Sequence, residues 1–164
     1  TIAFLTDTLK VILTGTVEEH HLSEILDADL DRQHEEAMAV PHALARLGDA
    51  MPGFGIVAAV LGVIITMGEI GGPPEQIGSK VAAALVGTML GILLSYGLIS
   101  PLGTAVEARV RSEHAYLACM RTALLAFARG DAPMTVVEVT RRSIEPADRP
   151  SFAALEALVK RKAS

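Results

Sequence analysis

Apolar positions along the chain fall into three patterns. Near the start, Ile2, Leu5, Leu9, Ile12 and Leu13 recur at helical spacing, which predicts a short amphipathic helix that Gly15 can end. In the middle, two stretches lose charge altogether: Ala50–Gly68 runs 19 residues without Asp, Glu, Lys, Arg or His, and Val81–Val106 runs 26. A helix rises about 1.5 Å per residue and about 20 apolar residues cross a hydrocarbon core, so both stretches can span a bilayer. Between them, Glu69-Ile70-Gly71-Gly72-Pro73-Pro74-Glu75 reads as a turn, because Pro73 and Pro74 lack the N–H donors of a continuous helix. Beyond Val106 an amphipathic pattern runs to Arg129 and is ended by Gly130-Asp131-Ala132-Pro133. Short helices follow over Val136–Ser143 and Phe152–Lys162, the second with Ser151 as its cap. Period-two alternation persists nowhere, so no strand is expected.

This order predicts an all-α integral membrane protein: a transmembrane helical hairpin with long helices extending into a cytoplasmic helical domain. Residues 1–49 form a cytoplasmic helical region, 50–106 two transmembrane helices with a short external turn, and 107–164 a cytoplasmic helical extension and C-terminal segment. The alternative, a hairpin buried inside a soluble protein, needs more enclosing apolar surface than the rest of a 164-residue chain supplies. Composition agrees, with 51% hydrophobic residues and a mean hydropathy of +0.42. The external turn offers only Lys80, whereas the outer flanks carry Arg32, Arg46, Arg109, Arg111 and Arg121. Basic residues favour the cytoplasmic side, so both ends are expected there. A net charge of −5 argues against a nucleic-acid binder. The single Cys119 excludes an internal disulfide framework and suits a reducing compartment.

Candidate chemistry is sparse. Eight acids between Glu18 and Glu36 read as a solvated helix face. His20, His21, His34 and His42 fit no metal-ligand spacing, so no metal site is expected. With no nucleophile–base pair and no phosphate loop, an enzyme is not expected. The spans lack every ionisable group on which membrane proton relays usually depend, so an ion path through them needs a carboxylate from a second polypeptide. Ala83, Gly87, Gly91 and Ser95 form a small-residue ladder on the second span, and Gly55 and Gly62 belong to similar pairs, Gly55/Ala59 and Ala58/Gly62, on the first; such faces allow close helix packing. The Thr88 hydroxyl is expected to bond back to the carbonyl four residues earlier. Pro52 is expected in a first helical turn, where it costs little, and Pro101 at a kink.

Two runs carry a family resemblance. Asp49-Ala50-Met51-Pro52-Gly53-Phe54-Gly55-Ile56-Val57-Ala58-Ala59-Val60-Leu61-Gly62-Val63 resembles the third membrane helix of the MotA family of flagellar-motor stator subunits. Leu85-Val86-Gly87-Thr88-Met89-Leu90-Gly91-Ile92-Leu93-Leu94-Ser95-Tyr96-Gly97-Leu98-Ile99-Ser100-Pro101-Leu102 is similar to its fourth, and Arg149-Pro150-Ser151-Phe152 to its C-terminal motif. The resemblance implies a homo-pentamer in the bacterial inner membrane around a MotB-like single-span partner whose Asp carries the ion, with a cytoplasmic domain that pushes the flagellar rotor ring. It implies ion-pathway lining by Ala59 and Thr88 and coupling roles for Pro52 and Pro101. Ala59 stands where sodium-driven relatives carry Thr, which implies protons rather than sodium; no other cofactor is implied. Two earlier membrane helices and the rotor-contact segment are expected before Thr1. A TolQ- or ExbB-like energiser of the cell envelope is the alternative on the same scaffold.

Overall fold

The computed structural model describes residues 2–15 and 17–163, and every regular element among them is helical. The helices are α1 (Ile2–Thr14), α2 (Glu19–Met67), α3 (Pro74–Leu94), α4 (Ser100–Ala128), α5 (Pro133–Ser143) and α6 (Phe152–Ala163), with one π-helical turn, Ser95–Ile99, joining α3 to α4. The expected breaks are the observed ones. Gly15 and Gly130 take positive φ of 62° and 77°, a backbone region that costs glycine nothing. Pro74 opens α3 at a position where a missing N–H is harmless.

Two compact units emerge. One comprises residues 1–36 and 110–164, the other 37–109. In the first, α1 packs on the ends of α2 and α4 through Phe4, Leu22, Leu26, Leu30, Leu117, Leu124 and Leu125. Leu22, Leu26 and Leu30 lie at four-residue steps, so one α2 stripe enters this core while all eight acids between Glu18 and Glu36 stay exposed. The face of α1 is the expected one only in part: Leu5 and Ile12 pack against this core. Phe4 and Thr8 are buried, whereas Leu9 is exposed and Leu13 is 82% exposed; the side chain of Ile2 lies outside the described residues. Thr8 can enter the core because its hydroxyl donates to the Phe4 carbonyl at 2.7 Å, leaving no unmet donor. Charge pairs fasten the margins: the Arg121 guanidinium donates to Ser23 Oγ at 2.8 Å and to Asp27 at 2.5 Å, and Arg129 reaches Glu19 and Asp131.

The turn between α5 and α6 is built from guanidinium groups. Arg149 donates to the carbonyls of Arg142 (2.9 Å) and Ile144 (2.9 and 3.0 Å), satisfying acceptors that the end of α5 leaves free. Ser151 Oγ accepts the Ala154 N–H at 3.2 Å and caps α6 as expected. Within α5, Arg141 makes a two-pronged contact with Glu138 at 2.7 and 2.8 Å, and Arg142 adds a third bond at 2.8 Å. Hydrogen bonds from these two arginines hold the Glu138 carboxyl down at about 2.

In the second unit, residues of α2 and of α3–α4 run antiparallel. Gly48 lies beside Ile99 and Ser100, Gly55 beside Gly87 and Thr88, and Gly62 beside Ala84. Both helices are long and apolar enough to cross a membrane. Their outward faces are apolar and open: Phe54, Ile56, Val60 and Ile64 on α2, and Leu85, Met89 and Leu93 on α3. Contiguous apolar surface of this extent marks contact with lipid or with other helices.

Candidate functional site

The two charge-free stretches meet along a seam where glycine brings the backbones together. A Cβ at Gly91 would stand 2.7 Å from the Met51 carbonyl oxygen and 3.1 Å from Gly55 Cα; one at Gly55 would stand 2.9 Å from the Gly87 carbonyl oxygen. A Cβ at Gly87 would lie 3.1 Å from that of Ala58, and Gly62 sits directly against Ala84. The seam therefore runs through Ala84, Gly87, Gly91 and Ser95. Ala83, expected on this face, is exposed, and its neighbour Ala84 is the residue buried against α2. The reason is helical period. Four-residue steps advance 400° and drift off the face, whereas 84, 87, 91 and 95 stay close to multiples of about 3.6. The ladder packs on α2 of the same chain.

Hydroxyls cross the same seam. Thr88 Oγ1 donates to the Gly55 carbonyl at 3.2 Å, so it bridges helices and does not bond back along its own. The back-bond to the fourth preceding residue is made instead by Thr66, to the Gly62 carbonyl at 2.7 Å. Thr88 is half-buried and also lines a shallow apolar groove of about 500 Å³ with Leu85, Met89, Ile92 and Leu93. Ala59 is half-buried on α2, one turn from Gly55. No side chain from Ala50 to Gly68 or from Val81 to Val106 can take up or release a proton near neutral pH, so this face cannot itself carry charge.

Both prolines sit where the backbone had to be rearranged. Pro52 is not in a first turn: α2 starts at Glu19, and Pro52 is interior, as is Pro41. An interior proline cannot bond the carbonyl four residues earlier. For Pro52 that carbonyl is Gly48's, and Ser95 Oγ donates to it from the other helix at 2.7 Å. Pro101 is the second residue of α4, directly after the π turn, in which the Ser100 N–H bonds the Ser95 carbonyl. A π turn shifts the bonding register by one residue, which lets the helix pass the proline. Gly48, Met51 and Ala84 were not singled out by sequence reasoning. Gly48 could have been found by counting four back from Pro52; the other two depend on the antiparallel register.

Elsewhere, the His34 and His114 rings lie 4.5 Å apart and His20 contacts Glu24 at 3.3 Å. Among the described residues no three His, Cys, Asp or Glu side chains converge to hold a metal ion. Where α2 hands over to α3, Lys80 pairs with Glu69.

Comparison with known proteins places this geometry. The model of the MotA/TolQ/ExbB proton channel family matches residues 3–118. Motility protein A of Escherichia coli strain K12 is 37% identical over 93% of this chain and 52% of its own length. The chemotaxis protein LafT of Vibrio parahaemolyticus is 36% identical over 94% of this chain and 54% of its own. The chain thus spans about half the length of the curated relatives it matches. The fold is that of the flagellar MotAB stator complex from Bacillus subtilis, with a TM-score of 0.81 at 23% identity over 92% of this chain and 59% of that one. The C. jejuni MotAB structure gives 0.79 at 20% identity, covering 91% and 58%. The hairpin is accordingly a membrane-spanning one.

Proposed function

Because the chain belongs to the MotA/TolQ/ExbB proton channel family, we propose that it works as the MotA-like subunit of a flagellar-motor stator, converting ion-motive force into torque on the rotor. The observation that carries this reading is a pair of spans without Asp, Glu, Lys, Arg or His, joined along a glycine seam that the hydroxyls of Thr88 and Ser95 bridge. Such a face needs an acid from outside, and a MotB-like single-span partner with one membrane Asp supplies it. The relatives at 36–37% identity are motility and chemotaxis proteins, which favours the motor over a TolQ- or ExbB-like role.

In this reading a homo-pentamer surrounds the partner helices in the bacterial inner membrane, lipid covers the outward faces, and both ends of the chain described here are cytoplasmic. Ala59 and Thr88 line the ion path, and the ion is the proton, since Ala59 offers no side-chain oxygen to a dehydrated sodium ion. Protonation of the partner Asp removes a charge beside the apolar groove at Thr88 and changes which contact is favoured; release on the cytoplasmic side resets it. Each charge that crosses gains about 2.3 kcal/mol per 100 mV, enough to bias a packing change of ordinary size. Pro52 and Pro101 convey that change along α2 and α4, and the cytoplasmic domain pushes the rotor ring. No covalent chemistry, metal or organic cofactor takes part.

The test is complementation. The full-length protein, expressed with its own single-span partner in a non-motile stator-deleted bacterium, is expected to restore swimming that an uncoupler of the proton gradient stops and sodium removal does not. Restored membrane integrity in a TolQ- or ExbB-deficient strain without restored swimming would overturn the reading.

A further inference from the structure

We infer that Ser95 is the positioning residue that joins the two proline sites of the membrane hairpin into one hinge, by supplying through its hydroxyl the hydrogen bond that Pro52 cannot. Three observations converge on it. Ser95 is 1% exposed, so its hydroxyl must find a partner inside the protein. That partner is the Gly48 carbonyl at 2.7 Å, the acceptor that an ordinary residue at 52 would bond with its own N–H. The same Ser95 opens the π turn that precedes Pro101, its own carbonyl receiving the Ser100 N–H. One residue therefore accepts in the rearranged ladder before Pro101 and donates into the gap left by Pro52. Gly48 is hemmed in by this arrangement, since a Cβ there would stand 3.1 Å from Ser100 Oγ. Any shift of the π turn along its axis must break or carry with it the Gly48 bond, so displacement at one proline is felt at the other.

The bond itself follows from the geometry; its value for coupling rests on the motor reading, and the two are tested apart. In the full-length complex with its partner in detergent, melting is measured for Ser95→Val, Ser95→Thr, Pro52→Ala and the Ser95→Val/Pro52→Ala pair. Valine and threonine have the same shape, so Ser95→Val is expected to melt about 2–6 °C below Ser95→Thr. In the Pro52→Ala background, where the alanine restores an N–H for the Gly48 carbonyl, Ser95→Val is expected to lose most of its effect. Equal melting of the Val and Thr variants, or additive losses in the pair, overturns the bond, and the Val/Thr comparison decides alone if Pro52→Ala does not assemble. For coupling, stator assembly and swimming speed are compared: Ser95→Val is expected to assemble yet lose at least half the swimming speed that Ser95→Thr keeps. Equal speeds with a proven bond overturn the positioning role. Failure of the unmutated complex to drive swimming at all strikes the motor reading and leaves the melting result standing.

Discussion

Gly62 and Ala84 meet across the hairpin so closely that a methyl group added to Gly62 would overlap the methyl of Ala84. Together with Gly91 against the Met51 carbonyl, this makes the seam a backbone-to-backbone contact. Lipid-facing apolar side chains contribute little specific attraction between helices, so such packing is what holds the pair.

Gly91→Ala is therefore expected to destabilise the assembled protein by about 1–3 kcal/mol, because the obstacle at 2.7 Å is main chain and cannot rotate away. Gly78→Ala, where nothing lies within 4 Å of the added carbon, is expected to be neutral or stabilising by up to about 1 kcal/mol. Thermal melting in detergent separates the two.

Thr88→Val keeps the shape of the side chain and removes its bond to the Gly55 carbonyl. A loss of about 0.5–1.5 kcal/mol is expected, within the range of interhelical hydrogen bonds in membranes. Proton flux into vesicles holding the full complex should fall more than that modest loss explains if Thr88 lines the ion path; unchanged flux would count against that role.

Pro101→Ala returns an N–H to the helix beside the π turn. Assembly is expected to be intact or better and swimming lost, measured as stator copies at the motor against swimming speed. Normal motility would refute a coupling role for Pro101.

Glu138 gives a pH dependence whose direction can be worked out. Its carboxyl is held at about 2 in the folded protein against an ordinary value of 4.5. The resulting stability is fully present above about pH 4.5 and is lost as pH falls toward 2. Amide exchange in α5 is expected to accelerate over that window, and Glu138→Gln to flatten the response.

Arg149→Lys keeps the charge and loses the fork that reaches the carbonyls of Arg142 and Ile144 together. A local loss of about 1 kcal/mol is expected, seen as faster proteolysis between α5 and α6.

How far these features were legible differs from one to the next. The spans, the turn between them and the stops at Gly15 and Gly130 were readable because each follows from local chemistry: solvation of charge, missing donors, positive φ. The buried face of α1 was legible only in part: Leu5 and Ile12 pack on the core, whereas Leu9 and Leu13, at the same helical spacing, are exposed. Phe4 and Thr8 took their place because an aromatic ring fills the core and a hydroxyl can satisfy itself on its own helix.

The chain by itself determined that two charge-free stretches enter a bilayer and that neither brings an acid of its own, because burying or exposing charge is decided residue by residue. Only the tertiary structure decided that Ala84 and not Ala83 faces α2, that Thr88 reaches Gly55, and that Ser95 answers Pro52. Those facts depend on the register between two antiparallel helices, and register is set by the sum of many close contacts that no single segment contains.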